Sequence, residues 1–236
     1  MNNWIALNGL KSTMIKGLLI SELPPISKPL QRTSIEEIDG RDGDIVTKLG
    51  YAAYDKKVKI GLFGDFNIDD IIKYFDSEGR VVFSNEIDKF YNYQIIGQID
   101  FERLLRFRTA TVVFHVQPFK FSTVDDTVEY NSLSTESYIT GKNNGNVISR
   151  PAITIYGSGT VTLTLNGVDI TVAIGDDEYI TLDGTTLNAY KGNTLKNRSV
   201  TGNLKNVWLP TGRWRIDWAG NGSVTNIIVK NESRWI

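Results

Sequence analysis

The chain is patterned in short alternations rather than long helical stripes. Thr160-Val161-Thr162-Leu163-Thr164-Leu165 alternates polar and apolar, and Val168-Asp169-Ile170-Thr171-Val172 does so again after Asn166-Gly167. A period of two sets every apolar side chain on one face of a strand. Asn-Gly between two such runs predicts a hairpin, because a type I′ turn needs positive φ at both central residues. Asp183-Gly184 predicts a second hairpin between residues 179–182 and 185–187. Trp214, Ile216 and Trp218 alternate with Arg213, Arg215 and Asp217, and residues 224–229 supply a last strand. Many short strands with frequent turns predict an antiparallel β-sandwich for this half.

The first half is mixed. Strands are predicted at Ile5 and Leu7, within 13–21, and at 58–62, 81–84, 91–99 and 109–116. One amphipathic helix is predicted from Ile68 to about Glu78. Asn67 can cap it, Asp69 and Asp70 suit the positive end of its dipole, and Ile68, Ile71, Ile72 and Phe75 form an apolar stripe. Gly79 is placed to end it in the left-handed conformation. The polar stretch 122–146 holds the boundary, giving a first domain of residues 1–130 and a second of 131–236. The fold expected is mainly β, with a sandwich in each domain and the helix near 68–78 in the first.

Charge and composition exclude whole classes of chemistry. The 236 residues carry 26 Lys+Arg against 27 Asp+Glu, so no cationic field favours nucleic acid or anionic lipid. With no Cys and one His, thiolate nucleophiles, Cys-ligated zinc and multi-His metal sites are ruled out. No run is long enough to span a membrane, and Met1-Asn2-Asn3-Trp4-Ile5 starts no signal peptide, so a soluble, unexported chain is expected. Gly157-Ser158-Gly159 lacks the third glycine of a dinucleotide fingerprint. His115 shares a strand face with Val113, opposite Val112, Phe114 and Val116; with no nucleophile or orienting acid evident, it is expected to be an ordinary strand histidine. Residues 39–44 match a calcium loop only loosely, since no glutamate closes it, and a turn with solvated charges is expected. The acidic pairs at 36–37, 69–70, 125–126 and 176–177 are adjacent residues and do not make a glycosidase pair. No catalytic, cofactor-binding or metal-ligating residue is therefore assigned. Trp214 and Trp218 are expected to fill the core, whereas Tyr190 and Trp208 are candidates for stacking on sugar.

A set of segments, in order along the chain, resembles the distal tail proteins (Dit) of long-tailed, non-contractile phages. Residues 5–12, Ile-Ala-Leu-Asn-Gly-Leu-Lys-Ser, are similar to the family's start. Pro24-Pro25-Ile26-Ser27 leads to Ile38-Asp39-Gly40-Arg41-Asp42-Gly43, its most recognisable turn. Residues 99–107, 109–116 and 117–120 resemble the end of its N-terminal domain. Residues 151–159, and Leu209-Pro210-Thr211-Gly212 before Trp214-Arg215-Ile216-Asp217-Trp218, resemble its galectin-like C-terminal domain. The resemblance implies a structural protein rather than an enzyme, a homohexameric ring of N-terminal domains that joins the tail tube to the tail tip or baseplate. Its implied partners are further copies of itself, the tail tube protein, the tail-associated lysin of the tip, and receptor-binding or baseplate proteins. It implies location at the tail tip of the virion, and in the host cytoplasm during assembly. Gly40, Arg41, Asp42, Gly43 and Asp44, with their flanking strands, are the candidate ring interface. The alternative from the aromatics is a carbohydrate-binding β-sandwich adhesin for a host cell-wall polysaccharide, stacking sugar on Tyr190 and Trp208.

Overall fold

The computed structural model describes residues 3–236 and is mainly strand, with two α-helices, in two units. The first unit runs to Thr123. It contains β1 (Ile5–Leu7), β2 (Leu10–Lys11), β3 (Leu18–Glu22), β4 (Gln31–Glu37), β5 (Asp44–Tyr51), β6 (Tyr54–Leu62), α1 (Ile68–Phe75), β7 (Glu78–Phe83), β8 (Lys89–Gln94), α2 (Phe101–Phe107) and β9 (Thr109–Ser122). An antiparallel sheet follows the order β2-β1-β7-β8-β9-β6-β3, while β4 and β5 pair only with each other. Alternation explains the sheet's two faces. Val112, Phe114 and Val116 are fully buried, and His115 points to the opposite face. Helix α1 covers the buried face, with Phe75 edge-on to Phe114 and the Tyr74 hydroxyl's single hydrogen shared between the Ile5 and Leu10 carbonyls.

The helix departs from expectation in two ways. It ends at Phe75 rather than near Glu78, because the Asp76 amide makes the last helical bond to the Ile72 carbonyl and Glu78 already belongs to β7. Gly79 therefore does not cap it. Gly79 does have positive φ, but inside β7, where a Cβ would lie 2.2 Å from Asn8 Oδ1. The buried set is Ile71, Tyr74 and Phe75, with Ile72 38% exposed. Helix α2 was not expected; Asp100 caps it by accepting from the Arg103 amide.

The second unit, Val124–Trp235, holds β10 (Thr127–Tyr130), β11 (Tyr138–Asn143), β12 (Ala152–Leu165), β13 (Val168–Gly175), β14 (Tyr179–Asp183), β15 (Asn188–Lys191), β16 (Thr194–Leu195), β17 (Val200–Thr201), β18 (Gly212–Gly220) and β19 (Ser223–Lys230). The long strand β12 serves both layers. Its first half pairs with β14 and β19, and its second half pairs with β13 and β18. The changeover is marked by bulges at Tyr156/Gly157 and Gly159/Thr160, the usual way a strand switches sheets. Glycine is required there: a Cβ on Gly157 would sit 1.9 Å from the Ser223 carbonyl oxygen. Between the layers lie Ile153, Ile155, Leu163, Leu165, Ile216 and Ile227, all essentially inaccessible.

The Asn166-Gly167 hairpin forms as predicted, with φ of 51° and 77°. The Asp183-Gly184 hairpin does not take the predicted form. Asp183 pairs with Asn188, so 185–187 are turn rather than strand, and Leu187 supplies the positive φ. Asp183 Oδ1 accepts from the Thr185 and Thr186 amides, and Gly184 is needed because a Cβ would meet the Val207 carbonyl.

Candidate assembly surface

The hairpin β4–β5 stands apart chemically as well as topologically. Its register joins Ile35 to Val46 and Glu37 to Asp44, with a bulge near its base between Arg32 and Thr33. A two-stranded ribbon with no buried face along its length is marginal in water and needs a partner for its apolar side chains. Here Ile35 is 59% and Val46 56% exposed, although they face each other across the strands. Gly40, Arg41, Asp42, Gly43 and Asp44 form the tip, with both glycines at φ 78°. Around it Glu36, Glu37, Asp39, Asp42 and Asp44 are all exposed, and Arg41 adds one positive charge. The ribbon thus carries exposed apolar side chains along a mixed shaft, with an acidic tip. At its base, Tyr51 packs edge-on to Phe119 and the Ala52 amide donates to the Leu30 carbonyl at 2.8 Å.

The main sheet of this unit ends on two strands, β2 and β3, each paired on one side among the described residues. Free edges can pair with another chain through backbone hydrogen bonds. Beside β2 lies a groove of about 530 Å³ lined by Leu7, Leu10, Met14, Ile15, Lys73 and Tyr74 among others. No alternation marks the strands of the ribbon, since neither of its faces is buried; only the family resemblance pointed to strands flanking the Gly40–Asp44 turn.

The remaining candidates are scattered. His115 Nδ1 lies 2.9 Å from Asp55 Oδ1 on the outer face of the sheet. Among the described residues, no group of three or more His, Asp or Glu is placed to hold a metal. Tyr190 lies half-buried in β15, and burial raises its hydroxyl above the ordinary tyrosine value. Trp208 lies half-buried in the loop before β18, with its carbonyl accepting from Asn166 Nδ2. No ring contact joins these two among the described residues. Trp214 is a core residue, its Nε1–H donating to Asn231 Oδ1 at 3.0 Å, and Trp218 packs partly buried against the same core.

No protein-family profile matches the chain, and no curated protein matches it. Solved structures do. The crystal structure of the SPP1 Dit (gp 19.1) protein aligns with 97% of this chain and 98% of its own, at a TM-score of 0.65 and 16% identity. Two structures of the phage P2 baseplate in its activated conformation, with Ca and with Sr, align over 97% and 96% of this chain and 97% of theirs. Their TM-scores are 0.43 and 0.44 at 10% and 11% identity, below the level that establishes a common fold. The chain therefore has, from end to end, the fold of a phage distal tail protein.

Proposed function

We propose that this protein is a structural hub of a phage tail, a distal tail protein rather than an enzyme. Its N-terminal units assemble into a homohexameric ring that joins the tail tube to the tip or baseplate. The observation that carries this reading is the end-to-end fold likeness to SPP1 Dit, a protein described as a paradigm of the hub adsorption apparatus in phages infecting Gram-positive bacteria. The same reading makes further copies of the chain, the tail tube protein and tail-tip or baseplate proteins its partners. It places the protein in the virion, after assembly in the host cytoplasm.

The β4–β5 ribbon supports the ring. A heterologous contact repeated around an axis needs a protruding element on one copy and a receiving surface on the next. The ribbon is such an element, with Gly40, Arg41, Asp42, Gly43 and Asp44 at its tip; the free edges β2 and β3 can receive.

Light scattering after size exclusion, with negative-stain images, tests the reading. The expected species contains six copies of the 26.5 kDa chain, about 159 kDa, around a central hole. A strict monomer that also fails to form rings when mixed with tail tube protein would overturn it. An Arg41→Glu variant that assembles normally would remove the tip from the interface.

A further inference from the structure

Residues 23–30 form a strap between β3 and β4, outside any strand. Pro24 and Pro29 are buried, while residues 25–28 are exposed. Three side chains reach its carbonyls: Asn85 Nδ2, from the turn between β7 and β8, donates to Pro24 at 3.0 Å, and from β6 Lys56 Nζ donates to Pro25 at 3.0 Å and the Tyr54 hydroxyl to Ser27 at 3.4 Å. The strap leads directly into the ribbon, so what holds the strap also sets the ribbon's root.

Lys56 is the unusual member. It projects from β6 on the face that carries Val58 and Ile60, and only 3% of it is accessible. Its ammonium has three donors and one hydrogen-bonded carbonyl. Aromatic faces surround it, with Tyr91, Tyr54 and Phe83 centroids at 4.8, 5.5 and 5.7 Å. The nearby carboxylate, Glu86, is already engaged by the Tyr91 hydroxyl and the Lys120 ammonium. Rings and one carbonyl compensate a buried cation only in part. The exposed strap above it has a ready alternative, since a lifted strap hydrates both Pro25 and Lys56.

We propose that Lys56 keeps the strap poised to lift: its buried positive charge favours opening, and removing that charge locks the strap and the root of the ribbon in place. The titration runs in the required direction. Burial lowers Lys56 from 10.5 to about 8, with Glu86 opposing the shift and Lys120 adding to it. Burial raises Tyr54 and Tyr91 above their ordinary value. The closed strap gives up the lysine proton more readily than an open one, whose lysine meets water. Raising pH from 8 therefore favours closure, by up to about tenfold per pH unit until the open form also deprotonates.

The chain contains no cysteine, so a single spin label at Lys28→Cys reports on the exposed strap without background. The expected mobile fraction is larger at about pH 7 than at about pH 10, following the linkage above. In Lys56→Met the label is immobile at both values, and in Lys56→Arg it stays mobile at both. A wild-type label equally mobile at the two values, or one more mobile in Lys56→Met than in wild type, would overturn the proposal. If Lys56→Met fails to fold by circular dichroism, the wild-type pH pair and Lys56→Arg decide. The proposal does not rest on the assembly reading above, because a chain that never forms rings still reports its strap.

Discussion

Replacing Ile35 and Val46 together by serine tests whether the ribbon is a contact surface or a part of the monomer's own fold. The two residues oppose each other and are exposed by 59% and 56%. Fully burying an aliphatic side chain of this size contributes about 1.5–3 kcal/mol. With somewhat over half of each available to a neighbour, and incomplete coverage there, the pair contributes about 2 kcal/mol to each contact. At 1.4 kcal/mol per tenfold, each contact in the ring weakens roughly 30-fold. Light scattering or mass photometry across a concentration series should show the ring dissociating at much higher concentration than for wild type. Thermal unfolding of the dissociated chain should move little, because more than half of each side chain is already exposed within it. Rings that persist to wild-type dilution, or a monomer that melts several degrees lower, would refute the reasoning.

Three further outcomes follow from the packing. Gly157→Ala should destabilise the second unit by about 3 kcal/mol or more in urea unfolding, as a Cβ 1.9 Å from the Ser223 carbonyl oxygen forces the sheet changeover apart. Gly167→Ala, at φ 77° with open space around it, should cost only about 1 kcal/mol in the same assay. Trp214→Phe should lose about 1–3 kcal/mol, because it leaves the buried Asn231 Oδ1 without its donor; equal stability by denaturant titration would contradict this. Titration with cell-wall glycans should show no binding that depends on Tyr190 or Trp208, and a saturable heat lost in Trp208→Ala would instead support the adhesin reading.

Local rules were legible where several residues in register bury one face; α2 and β11, which bury little more than Leu104 and Ile139 on theirs, gave no such signal. Residues 160–165 and 168–172 had to alternate to sit on a core, and Asn166-Gly167 carries its own turn geometry, so strand and hairpin could be read directly. The Asn67 cap and the start of α1 were legible for the same reason, since the side chain accepts from an amide two residues away. The end of α1 was not, because it depends on where β7 pairs.

What the sequence by itself determined is the strands that alternate over a core, such as 160–165 and 168–172, the Asn166-Gly167 turn that sets their register, and that no thiol or multi-histidine chemistry is available. Only the tertiary structure decided the rest. It made 31–51 a ribbon with no buried face, which is why no periodicity announced it. It sent one strand through both layers of the second unit at Gly157. It placed Lys56 beneath a proline strap, where the same residue type on the outer face of β6 is merely solvated. Periodicity reports burial along one element; the neighbours that a residue meets across elements are fixed only when the whole chain has folded.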